Sequence, residues 1–126
     1  MNFRRIAGQL LSSYLLIWAP GTFAVELMSA LPSMGMRGPR AWLELAIHGL
    51  VAVFCAIAGR MIRIAAPAAL AAAAIAVGVR AAASLQSLFW TTLPSDVAPG
   101  AQLPAAILVC VNAAFWLFVI RRLNPR

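Results

Sequence analysis

Residues 103–120 read LPAAILVCVNAAFWLFVI and are followed at once by Arg121-Arg122. No Asp, Glu, Lys, Arg or His interrupts these 18 residues, and Asn112 is their most polar side chain. The run is too long for a strand of a small soluble sheet and too uniformly apolar for a surface helix. At 1.5 Å per residue it reaches about 27 Å as a helix, close to the roughly 30 Å of a bilayer core. Hydrocarbon leaves no water for backbone groups, so a single spanning segment of this kind has to be helical. The stretch predicts a transmembrane helix that ends on a basic anchor.

Working outward, three more runs have the same character. They cover residues 6–31, 41–59 and 64–90, the second only just long enough to span. Proline and glycine separate them. Leu31-Pro32-Ser33-Met34-Gly35 and Arg37-Gly38-Pro39 lie between the first and second, 59–63 between the second and third, and 93–100 between the third and fourth. Pro67 falls near the start of the third, where proline is tolerated. The expected fold is all-α, a single domain of four antiparallel transmembrane helices over residues 1–126.

Composition agrees. The chain is 63% hydrophobic and 10% charged, whereas soluble domains average about 45–50% and about 25%. A chain this short cannot hide so much apolar surface within itself. Formal charge is +7, carried by ten arginines and no lysine. These arginines form no single patch, so nucleic acid is not an expected partner. They sit instead at the ends of apolar runs. Arg4, Arg5, Arg60, Arg63, Arg121, Arg122 and Arg126 share one side of the predicted topology, and only Arg37 and Arg40 lie on the other. That asymmetry predicts cytoplasmic N and C termini in a bacterial-type inner membrane, with Trp42 and Trp90 at the outer interface. Arg4-Arg5 and the apolar run after it imitate a secretory signal peptide, but the run is long and three further spans follow. Cys55 and Cys110 form no CxxC and read as small buried hydrophobes.

Ionisable groups inside spans are costly, about 2.5–3.5 kcal/mol or more, and usually face the bundle interior. Glu26 stands about five residues below the outer end of span one, near 7 Å deep. Its face carries Gly8, Ser12, Ala19, Thr22 and Ser29. Pro20, beside Gly21, removes a backbone donor, frees the Leu16 carbonyl and predicts a kink one turn before the glutamate. Glu44 and His48 are four residues apart and project from one face. Arg80 lies near mid-membrane on an alanine-rich face, with Gln86 above it, and Asn112 is near the middle of span four. Together Glu26, Glu44, His48, Arg80, Gln86 and Asn112 predict a polar cluster in the outer half of the membrane. Arg80 is expected to pair with Glu26 or Glu44, because a buried guanidinium calls for a carboxylate. Each residue also has a plainer role. Glu44 suits an interface, His48 a hydrogen-bonded bundle position, and Gln86 and Asn112 interhelical contacts.

The residues Glu44-Leu45-Ala46-Ile47-His48-Gly49-Leu50 and Gly78-Val79-Arg80 resemble the DoxX-like group of small four-helix membrane proteins. The resemblance covers spans two and three. It implies a compact bundle, often an accessory component of a redox or membrane-stress system, with Glu44 and Arg80 as the residues carried over; His48 stands outside the pattern.

No G-x-S-x-G, H-E-x-x-H, P-loop or Rossmann fingerprint is present, so the chain is expected not to be an enzyme. No metal site and no cofactor is expected either. Expected partners are the lipid bilayer and other membrane chains or further copies of this one. Three functional expectations follow. The first is an accessory or structural subunit, or a binder of a lipid- or quinone-like ligand at the outer polar cluster. The second is a small homo-oligomeric transporter or channel using Glu26 and Arg80. The third is a redox subunit whose partner completes a site at His48.

Overall fold

The computed structural model describes residues 2–91, 98 and 100–124. Among these residues the secondary structure is helical, and four helices are long and apolar enough to cross a membrane: α1 (Phe3–Met36), α2 (Pro39–Arg63), α3 (Ala69–Phe89) and α4 (Gln102–Leu123). Between 11% and 39% of the most apolar window of each is buried within the bundle. The rest of that apolar surface faces outward, as a bilayer requires and water does not allow.

The first helix is not uniform. Asn2 caps its start, its side-chain oxygen accepting the Arg4 N–H at 3.0 Å. An α-helical segment, Phe3–Ser13, leads into a π-helical turn over Tyr14–Trp18, then a second α segment, Ala19–Ala30. Pro20 has no N–H to offer the Leu16 carbonyl. The irregularity expected there takes the form of a widened turn just before the proline, in which the Ala19 N–H bonds Tyr14 O. The stretch 31–35, expected to be part of a connection, continues the rod within a 3₁₀ segment, Leu31–Met36. Pro32 falls at the start of that segment, where its missing donor costs nothing. The helical rod breaks at Gly38, whose φ of +85° suits glycine.

The helix that carries span two runs past Gly59, to Arg63. Gly59 serves packing. A Cβ placed there would lie 2.8 Å from Leu16 Cγ and 3.0 Å from both Leu16 N and Ser12 O. The two helices therefore touch backbone to backbone, and Arg63 reaches Ser12 and Ser13 with hydrogen bonds of 3.4 and 3.3 Å. Phe23 meets Gly49 farther along the same seam.

The connection between α2 and α3 lies at residues 64–68, not at the expected 59–63. The Ala66 N–H bonds Met61 O at 2.9 Å and the Ala65 N–H bonds Ile62 O at 3.1 Å, the paired closure of a Schellman motif. Its left-handed position is Ala65, at φ +54°, where glycine is usual. A Cβ in that conformation costs roughly 1–2 kcal/mol. Ala65→Gly is accordingly expected to stabilise the protein by about 1 kcal/mol, and Ala65→Val to destabilise it. Unfolding in detergent measures this, and a destabilised glycine variant would refute it. Pro67 belongs to this turn and precedes α3. The expected connection over 93–100 lies mostly outside the described residues.

The core joins all four helices: Leu11, Leu15 and Ala19 of α1, Cys55 and Ala58 of α2, Ala73, Ala76 and Val77 of α3, and Ile120 of α4. A second cluster, Ala30, Met34, Ala41 and Leu45, closes the far end of the α1–α2 seam. Alanine dominates these contacts and lets backbones approach closely. Cys55 is buried as expected. Cys110 is not: it is exposed on the outside of α4. Trp42 and Trp90 are exposed as well.

Candidate functional site

The polar residues of the spans gather in two layers. In the first, Glu44 and His48 stand on one face of α2, four residues apart as the helical repeat dictates, and both are buried. Glu26 comes from α1 and Gln86 from α3. Gln86 Nε2 donates to Glu44 Oε1 at 2.6 Å and to the Trp90 carbonyl at 3.1 Å. Gln86 Oε1 faces His48 Nε2 at 2.9 Å, and His48 Nδ1 faces Glu26 Oε1 at 2.5 Å. Ser87 Oγ lies 3.4 Å from the same Nε2. The result is a continuous chain from Glu44 through Gln86 and His48 to Glu26, crossing three helices.

This chain fixes the histidine's protons. The Gln86 amide nitrogen faces two oxygens, one of them a backbone carbonyl, so the amide oxygen is the atom turned toward His48. An amide oxygen only accepts, so His48 Nε2 carries a hydrogen; the assignment follows from the network. At Nδ1, two bare acceptors would repel at 2.5 Å. One proton therefore lies between His48 Nδ1 and Glu26 Oε1. Wherever it sits, the pair is neutral overall.

The second layer lies deeper. Arg80 is six residues from Gln86, about 9 Å along α3. Its Nη1 donates to Tyr14 Oη at 2.8 Å and its Nη2 to Thr22 Oγ1 at 3.1 Å, with the guanidinium carbon 5.3 Å from the Tyr14 ring centre. Asn112 of α4 donates to the same Tyr14 oxygen at 2.9 Å and accepts from Trp116 Nε1 at 3.2 Å. The Tyr14 and Trp116 rings stack at 4.6 Å.

Two spaces adjoin these layers. A half-open cavity of about 70 Å³ separates them, its polar wall formed by Thr22, Glu26, His48, Arg80, Ser84 and Ser87. On the other side of His48, a groove of about 370 Å³ runs between α2 and α3. Arg40, Glu44 and Gln86 give it a polar end, and Leu43, Ile47, Val51 and Val79 an apolar length.

No protein-family model, curated protein or solved structure matches the chain. What the site does has to be read from its own chemistry.

The expected cluster is thus real but divided. Glu26, Glu44, His48 and Gln86 meet; Arg80 and Asn112 belong to a separate group. Among the described residues Arg80 makes no ion pair with Glu26 or Glu44, the pairing expected. Glu26 is taken by His48, Glu44 accepts from Gln86, and Arg80 is level with Tyr14 and Thr22, whose neutral oxygens receive it instead. Sequence reasoning passes over Tyr14 and Trp116. Tyr14 is the chain's sole tyrosine, but an ideal helix turns about 100° per residue and puts it some 80° away from Thr22. The π turn absorbs one residue's rotation and brings the two onto one face. Among the described residues no group of His, Cys, Asp and Glu is placed to hold a metal ion.

Proposed function

We propose that the chain is a non-enzymatic, multi-pass protein of a bacterial-type inner membrane, an up-down bundle with both termini cytoplasmic. We propose further that it works as an accessory component by binding a lipid- or quinone-like amphiphile in the α2–α3 groove. The groove itself carries this reading: a long apolar wall ends at Glu44 and Gln86, two groups able to meet a polar head. A space of 370 Å³ suits a head group and the first part of a tail. Moving a tail from bilayer hydrocarbon into an apolar groove gains little, since lipid is as apolar as leucine. Selectivity therefore rests on the head and on Arg40, Glu44 and Gln86. The basic residues at the helix ends support the orientation, and the groove's position next to buried polar groups supports a polar head.

Native mass spectrometry of the protein in mild detergent tests this. The wild type is expected to retain one amphiphile. Ala82→Trp, which fills the groove and replaces no member of the hydrogen-bonded chain, is expected to lower retention about tenfold, equivalent to roughly 1.4 kcal/mol. Equal retention by both proteins, or none by either, would exclude the groove as the binding site. A partner-completed haem or metal at His48 is the weaker reading, because both ring nitrogens are already engaged and ligation has to break one contact.

A further inference from the structure

Arg80 has more donors than acceptors. A guanidinium carries five N–H groups. Two are used, on Tyr14 and Thr22, and the other three meet no acceptor among the described residues. Both of its partners are neutral. Yet Arg80 is permanently charged and lies inside a membrane-spanning helix, where an uncompensated charge is costly. The cavity beside it offers Ser87 Oγ and Ser84 Oγ, and the Ser84 hydroxyl makes no hydrogen bond with a described residue. Across the same cavity stands the Glu26–His48 pair.

The charges can be counted. With its shared proton the pair is neutral, and the cavity keeps the +1 of Arg80. Without that proton the pair carries −1 and the cavity is neutral. Of the other charged groups on α2, Glu44 stands one hydrogen bond beyond Gln86 and its charge acts on His48, while Arg40 is at the same end of the groove; neither lines the cavity. Cys55, also of α2, is buried and donates to Ala76 O, and Tyr14 of α1 is a neutral acceptor. The α4 side presents neutral Asn112 and Trp116.

We propose that the cavity between Arg80 and the Glu26–His48 pair binds one small monovalent anion, and that the anion enters together with the pair's proton, one for one. A water needs roughly 10–15 Å³ of such space, so 70 Å³ admits chloride, nitrate or formate and not a large organic anion. The guanidinium provides the charge, and Ser84 and Ser87 provide hydroxyl donors. When the proton leaves, a carboxylate and a bare ring nitrogen repel at their present separation. Glu26 then turns to Arg80, the cation on its own cavity wall, and takes the anion's place. The site lies across His48 from the amphiphile groove, which shares that residue, Val51 and Ala83 with it, and it takes its anion whether or not the groove is occupied.

The test is chloride titration of the full chain in nanodiscs, by calorimetry, at several pH values and in weak buffer to read proton uptake. Wild type should bind chloride more tightly as pH falls, up to tenfold per pH unit, and take up as much as one proton per anion. Glu26→Gln combined with His48→Gln should keep binding but lose both the pH dependence and the proton uptake. Arg80→Gln should abolish binding at every pH. Ser84→Leu, which fills the cavity and leaves the ionic groups in place, should weaken binding at least tenfold and guards against a folding defect in the arginine variant. Absence of binding at low pH overturns the proposal. So does binding that survives Arg80→Gln and Ser84→Leu, or proton uptake that survives the combined Glu26→Gln and His48→Gln substitutions.

Discussion

Tyr14→Phe is expected to cost about 3 kcal/mol of folding free energy, although it removes a single oxygen atom. The ring stays, and with it the stack on Trp116 at 4.6 Å. What is lost is the acceptor for two donors, Arg80 Nη1 at 2.8 Å and Asn112 Nδ2 at 2.9 Å. Leaving a buried donor unsatisfied costs about 1–3 kcal/mol, more when it is charged, and hydrocarbon provides no replacement. Water in the adjoining cavity can relieve the arginine but not the asparagine, which does not border it. The asparagine should therefore carry the persistent part of the cost. A double-mutant cycle with Asn112→Leu checks this: in that background the tyrosine substitution should cost about 1 kcal/mol less. A Tyr14→Phe protein as stable as wild type in detergent unfolding would mean that the inner layer contributes nothing to holding α1, α3 and α4 together.

Gly59→Val is expected to be the most damaging change on the α1–α2 seam, at about 3 kcal/mol or more. Replacing glycine inside a helix ordinarily helps, by up to about 1 kcal/mol for alanine. Here packing opposes propensity. The first added carbon meets Leu16 Cγ at 2.8 Å, which a side chain can evade, but it also meets Leu16 N and Ser12 O at 3.0 Å, which are backbone. Only moving the helices apart relieves those two contacts, and that loosens Leu11, Leu15 and Cys55 in the core. Gly78, where an added Cβ would find nothing within 4 Å, is the control: Gly78→Ala should stabilise by up to about 1 kcal/mol. If both substitutions shift stability in the same direction, the seam is not as close as described.

The sequence announces the helices because hydropathy and helix length are properties of each span alone. It misplaces their ends where one residue type has two uses. Gly59 reads as a helix terminator when only its neighbours in sequence are known, and as a contact point once α1 lies against it. Pro32 reads as a break, yet a helix tolerates proline at the first position of a new segment. The candidate site is legible as a set of residues, because charged and amide groups in a span draw attention by their cost. Its wiring is not. Charge alone matches Arg80 to a carboxylate, while depth along the helix decides which groups it can reach. Tyr14 escapes notice because its face depends on a π turn, which no periodicity of 3.6 can foresee.

That π turn also makes the first helix tolerant of a change in length. A π turn is an α-helix with one residue inserted, and the wider turn absorbs that residue's rotation of about 100°, so the segments on either side keep their faces. In a regular helix one residue shorter, Tyr14 and Thr22 stand seven residues apart and within about 20° of one another. Deleting the exposed Ile17 is therefore expected to leave the tyrosine on the side of Arg80.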